Sequence, residues 1–192
     1  MKHRLIYSAA ATFLLALSSA AWGHALSVDK NAPAGGWHFV QIGIPHGCGG
    51  SPTNGVRINI PDEIFMVRPE IKPGWEMTMK MRNMDPPITS EGVTYSESVD
   101  EIIWRGGVVG NLEFDRFNLL ALMPRKANTK VYFRTIQECE NGENKWVEIP
   151  EKGRAWGSYK YPAPFVETGD VVAPAKVPNQ IQDSEDQSAQ AR

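Results

Sequence analysis

The chain has 192 residues, with 20 Lys and Arg against 22 Asp and Glu, 42% hydrophobic and 9% aromatic. That length suits one domain with its own core and leaves room for a tail. A formal charge of −2 excludes the strongly basic footprint of a nucleic-acid binder, and a 22% charged share excludes a disordered acidic scaffold.

Lys2, His3 and Arg4 make a short basic start, followed by an uncharged stretch rich in Leu and Ala from Leu5 to Ser19. Ala21-Trp22-Gly23 then places small residues at positions −3 and −1 of a cut. This layout reads as a secretory signal peptide over residues 1–23, its apolar run too short and too lightly flanked for a membrane span. Ser19-Ala20-Ala21 offers a competing cut. No second apolar run of about 18 residues follows, so the mature chain is expected to lack a membrane span. Processing after Gly23 would leave a mildly acidic chain beginning with His24. Export to a Gram-negative periplasm is the expectation, with full secretion as the alternative.

The body reads as strands. Candidates in chain order are Ala25–Asp29, Trp37–Ile44, the alternation of Val56, Ile58 and Ile60, and that of Met77, Met79 and Met81. Val93–Trp104, Glu113–Met123, Val131–Thr135 and Lys145–Ile149 complete the set. Pro and Gly punctuate the gaps at Pro33, Pro45, Gly49-Gly50, Pro73-Gly74, Pro86-Pro87 and Gly106-Gly107. Asn141-Gly142 between two strand-like runs signals a hairpin whose two turn residues both take positive φ. Eight or nine short strands at this spacing, without a repeat or an amphipathic helix, argue an all-β sandwich. Past Val166 the chain loses its aromatic residues and gains Ala, Pro, Gln and Asp. The expected division is a folded domain over 24–166 and a flexible tail over 167–192.

Cys48 and Cys139 are far apart and fit no metal-ligand spacing. In an oxidising compartment such a pair is expected as a disulfide.

An N-terminal histidine is chemically special. Its free α-amine and its imidazole Nδ1 can close a six-membered chelate on one ion. The amine's pKa is about 8, so a metal displaces its proton readily at neutral pH. Two nitrogens with oxygen donors in a tetragonal arrangement suit Cu(II). Taken alone, His24 reads more simply as the residue that happens to follow a cut.

From His24 the run HALSVDKNAPAGGWHFVQIGIPHGCGGSPTNGVRINIP resembles the opening of the YcnI family of exported bacterial copper-binding domains. The likeness continues in IKPGW (71–75), EIIWRGG (101–107), LEFDRF (112–117), VYFRTIQEC (131–139) and WVEIP (146–150). The resemblance implies an immunoglobulin-like β-sandwich that holds Cu(II) through a mono-histidine brace at its mature N-terminus. It implies His24 as the brace, Glu113 as a carboxylate ligand and Trp146 as the tryptophan beside the metal.

Read without the family, Glu113 is a solvated carboxylate where the Gly106–Gly110 loop meets a strand, and Trp146 is a core residue with a large apolar area. His46, in a loop beside Cys48, and His38, within a strand, are candidate second imidazoles. Both read more simply as surface or structural histidines, and the family pattern requires neither. Met77, Met79, Met81 and Met84 offer soft thioethers suited to Cu(I), but a buried Met-lined strand face explains their spacing without metal.

No Ser–His–Asp arrangement and no phosphate-binding glycine loop ahead of a helix is present, so acid/base catalysis finds little support. The expectation is a non-enzymatic, exported Cu(II)-binding protein acting as copper chaperone, carrier or buffer. Its partners are expected to be the copper ion and another copper-handling protein, with no nucleic acid. The rivals are a copper-dependent oxidase or monooxygenase, and a metal-free immunoglobulin-like interaction module.

Overall fold

Alternating apolar residues dictate the central strand of the first sheet. In β3 (Trp37–Ile44) the inward residues Val40, Ile42 and Ile44 are fully buried, while Trp37 and Phe39 stay exposed on the outer face. The computed structural model describes residues 23–171. Apart from Gly23, the expected leader lies outside those residues, as do 172–192.

β3 pairs antiparallel with β1 (Leu26–Ser27) on one side and β8 (Asp115–Leu122) on the other, with β5 (Val67–Pro69) beyond β8. The facing sheet runs β11 (Glu143–Trp146), β10 (Thr135–Cys139), β4 (Thr53–Asn59), β7 (Val93–Val109) and β6 (Glu76–Ser90), with every neighbouring pair antiparallel. Phe117 and Leu119 from one sheet meet Val56, Ile58, Ile102 and Trp104 from the other in a single core. Each such side chain withdrawn from water contributes about 1.5–3 kcal/mol. A third, small sheet joins β2 (Asn31–Ala34), β12 (Phe165–Val171) and β9 (Thr129–Tyr132). A 3-10 turn at Trp156–Ser158 is the only helical element among the described residues.

Four expectations change. The run Val131–Thr135 is not one strand: the chain leaves the third sheet after Tyr132 and enters the second at Thr135. At the crossing Phe133 N donates to Pro164 O and Arg134 O accepts from Asn59 N. At the β10–β11 turn Gly142 has φ +89°, while Asn141 does not take a positive φ, so the type I′ turn is not formed. The folded domain reaches past residue 166, because β12 carries on to Val171 between β2 and β9. Thr168 anchors that extension: it is fully buried, and its hydroxyl donates to Lys126 O at 2.6 Å.

The fourth concerns the methionines. Met77, Met79 and Met81 share the face of Trp104, Ile102 and Val99, as the alternation implies, but β6 is the sheet's edge. Met77 is half-buried against the core, whereas Met79 and Met81 are 47% and 53% exposed. The opposite sheet does not reach far enough to cover them. A buried Met-lined face is therefore not what the fold contains.

The disulfide is present. Cys48 and Cys139 are joined across 91 positions, tying the loop after β3 to the end of β10.

Candidate metal centre

The strand registers determine what gathers at one end of the sandwich. Leu26 lies opposite Gly43, and Gly43 lies opposite Arg116. Continued three residues outward, the same registers align Gly23 with His46 and His46 with Glu113. The first of these neighbours is realised: His46 Nε2 is 2.8 Å from the Gly23 carbonyl oxygen. The second pair of loops also meets, since a Cβ on Gly47 would come within 3.3 Å of Asn111 Oδ1. His24 thus stands at the sheet end where the 45–52 and 110–114 loops converge.

The His24 ring is half-buried and packs edge-on against two indoles. Its centroid is 5.9 Å from that of Trp146 and 5.3 Å from that of Trp156, with interplanar angles of 79° and 82°. Edge-to-face rings at such distances are favourable, and they restrict how the imidazole can turn.

Trp146 is a fully buried core residue, as its large apolar area implies, and it also touches His24. Its indole N–H donates to Gln137 Oε1 at 3.1 Å, and its ring packs on Tyr161 at 5.3 Å. Trp156 enters from the 3-10 turn, its N–H donating to Ala163 O at 2.7 Å, with Phe165 and the Lys30 ammonium against its ring.

Glu113 reaches the same end of the sandwich but not the histidine. Its Oε2 accepts the Gly110 N–H at 2.7 Å, and Glu113 N donates to Gly110 O at 3.0 Å, so the carboxylate closes its own turn. Among the described residues no hydrogen bond or ion pair joins Glu113 to His24. No group of three or more His, Cys, Asp or Glu side chains poised for a metal occurs among them either. A metal here would draw on the His24 ring, on Glu113 Oε1 after a side-chain rotation, and on the backbone amine that a cut after Gly23 would create.

The two remaining candidate histidines separate. His38 lies in β3 opposite Ala121, 8% exposed and at the far end of that strand from His24, so it is a structural residue. Its Nε2 has no hydrogen-bond partner among the described residues. His46 is in the opposite situation, beside Gly23, with its Nδ1 bonded to the Gly47 carbonyl. The methionines of β6 lie on an edge strand of the other sheet and contribute nothing to this end.

Two residues of the site escaped the sequence reading. Trp156 left no signal, since its meeting with His24 is purely tertiary. Gln137 did leave one: it sits between Thr135 and Cys139 on the inward face of β10, where a polar side chain must find buried partners. It finds four. Nε2 donates to His46 O at 2.6 Å and to Thr53 Oγ1 at 2.8 Å, while Oε1 accepts from Asn144 Nδ2 at 3.2 Å and from the Trp146 indole.

Fold and site together define an immunoglobulin-like β-sandwich domain with His24 lodged among aromatic rings. A crystal structure described as an uncharacterized protein from Nocardia farcinica with an immunoglobulin-like fold is similar to it. That structure has a TM-score of 0.59 and 22% identity, covering 76% of this chain and 98% of the other. The chain belongs to the family of the domain of unknown function DUF1775, whose model matches residues 24–168. No curated protein sequence matches it. The family match begins at His24, the residue after the expected leader. Among the described residues no helix is long and apolar enough to cross a membrane.

Proposed function

We propose that this is an exported Cu(II)-binding domain of the YcnI kind, serving as a copper chaperone, carrier or buffer outside the cytoplasm. The observation that supports it most is the placement of His24, half-buried and edge-on to Trp146 and Trp156 at the end of the sandwich where Glu113 also lies. A histidine that merely followed a processing site would have no reason to be held between two indoles.

Processing after Gly23 frees the His24 amine. Amine and Nδ1 then grip the ion as one chelate, and Glu113 adds an oxygen by releasing the Gly110 N–H. The indoles of Trp146 and Trp156 shield one side of the imidazole from water and keep its ring from swinging into solvent. Nitrogen and oxygen donors of this kind favour the cupric ion. Cargo of this kind needs no substrate pocket.

The test uses the exported protein. Mass spectrometry should find His24 as its first residue, and titration should find one equivalent of Cu(II). A chain carrying one extra residue before His24 should bind far more weakly, because its amine becomes an amide. Equal affinity of the two chains would overturn the proposal. Glu113→Gln should weaken binding less than the extension does, since the nitrogen chelate survives.

A further inference from the structure

We infer that His46 supplies a second imidazole to the ion held at His24, converting the single-histidine chelate into a three-nitrogen site. This rests on the copper reading above and adds a ligand to it.

The position of the ring carries the inference. His46 Nε2 is 2.8 Å from the Gly23 carbonyl oxygen, and a Cβ on Gly23 would stand 3.0 Å from His46 Cδ2 and 3.2 Å from Nε2. The imidazole therefore lies against the residue that processing removes. A carbonyl oxygen is about 2.3 Å from the next nitrogen in the chain, which places His46 Nε2 within about 5 Å of the atom that becomes the α-amine. Two nitrogens on one ion, each bonded at about 2 Å, stand at most about 4 Å apart. Loss of Gly23 opens a gap of that size between amine and ring. Closing it takes a shift of about an ångström, within the reach of a newly freed chain end.

The ring is also prepared chemically. Both ring nitrogens face carbonyls, Nδ1 that of Gly47 and Nε2 that of Gly23, and a carbonyl can only accept, so loss of Gly23 leaves Gly47 O as the acceptor that keeps the neutral ring's proton on Nδ1. With the Gly23 carbonyl gone, Nε2 is left with its lone pair directed at the amine. Ligating histidines are commonly fixed by such a backbone carbonyl on their other nitrogen.

The loop that carries His46 is held on several sides, unlike a solvated surface loop. Gln137 donates to the His46 carbonyl at 2.6 Å. Cys48 and Ser51 exchange backbone hydrogen bonds at 2.8 and 3.0 Å, and Cys48 is bonded to Cys139. Gly47 cannot carry a side chain at all, since its Cβ would fall 2.0 Å from Ser51 O. The sequence discouraged this reading because His46 meets Gly23 only through space, 23 positions along the chain.

The experiment uses the chain beginning at His24, loaded with one equivalent of Cu(II). Pulsed electron paramagnetic resonance with 15N-histidine labelling should count two imidazoles in the wild type and one in His46→Gln. Competition titration should show His46→Gln losing at least the roughly 10- to 100-fold in affinity that removal of an outer-shell partner costs. The wild-type count stands alone should the substitution unsettle the loop. Copper held by a single imidazole in the wild type would overturn this inference and leave the copper reading intact. No copper uptake at all would overturn both.

Discussion

The buried amide of Gln137 donates to the His46 backbone carbonyl across 2.6 Å, and through its other end accepts the Trp146 indole N–H at 3.1 Å. One side chain thus sets the distance between the loop before the disulfide and the indole beside His24. Gln137 belongs to the facing sheet, so it couples the two layers at the candidate centre.

Removing it should be costly twice. Gln137→Leu fits the space but leaves the Trp146 N–H and the His46 carbonyl buried without partners, at about 1–3 kcal/mol for each. Urea unfolding should show a loss of about 2–4 kcal/mol, and on the proposed function the folded fraction should bind Cu(II) more weakly because the Trp146 indole and the His46 loop are both released. An unchanged midpoint would show that water takes over both bonds.

The strands were legible where one face is buried and the next residue is not. Trp37–Ile44 emerged with the bounds that its alternation implied. Alternation tells which residues share a face but not whether anything covers it, and so Met79 and Met81 were misjudged: their face points inward, at an edge the other sheet does not reach. The break at Phe133–Arg134 was hidden because β-formers run through it without a Pro or Gly. The Cys48–Cys139 bond could be named from the sequence, whereas His24 and Glu113 could only be singled out as candidates, Glu113 through the family resemblance. The meetings of Trp156 with His24 and of His46 with Gly23 could not be foreseen, because each is a contact across more than twenty positions that no local pattern encodes.

The Cys48–Cys139 bond should be a large share of the stability. Closing a loop of 91 positions removes enough freedom from the unfolded chain to stabilise the native state by about 4–5 kcal/mol. Cys48→Ala with Cys139→Ala should lower the thermal midpoint by about 8–20 °C for a domain of this size. It should also loosen the 45–52 loop and weaken Cu(II) binding. Calorimetry of the oxidised chain against the double variant measures the first effect directly.

Acid sensitivity should centre on Glu101, whose side chain is only 2% exposed. Burial raises its pKa, but the bonds and charges of Lys80 and Arg57 outweigh that and hold it below the ordinary value of 4.5. Arg57 Nε donates to one oxygen at 2.9 Å, and Lys80 Nζ lies 2.6 Å from the other. Glu138 is lowered too, chiefly by its hydrogen bonds from Arg105. A depressed carboxylate contributes stability that is fully present above its unfolded pKa and lost as the pH falls through its folded one. Unfolding free energy should therefore be flat from pH 7 down to about 5 and decline below 4.5. Glu101→Gln should cost about 1.5–3 kcal/mol at neutral pH and flatten part of that decline. A variant with the wild-type acid profile would remove Glu101 from the account.

Tryptophan fluorescence should report the metal directly. Two indoles have their centroids 5.3 and 5.9 Å from that of the His24 ring, close enough for a bound cupric ion to quench both. Adding one equivalent of Cu(II) should quench a fixed fraction of the emission and then stop. Trp156→Phe should remove part of that fraction while keeping an aromatic ring near His24, with little loss of stability because Trp156 is only half-buried in a surface turn. Trp146→Phe should remove the other part and cost stability as well, since it empties space in the core and strands Gln137 Oε1. Copper that bound elsewhere, for instance on the exposed methionines of β6, would quench Trp146 and Trp156 weakly, and the two substitutions would leave the quenched fraction where it was.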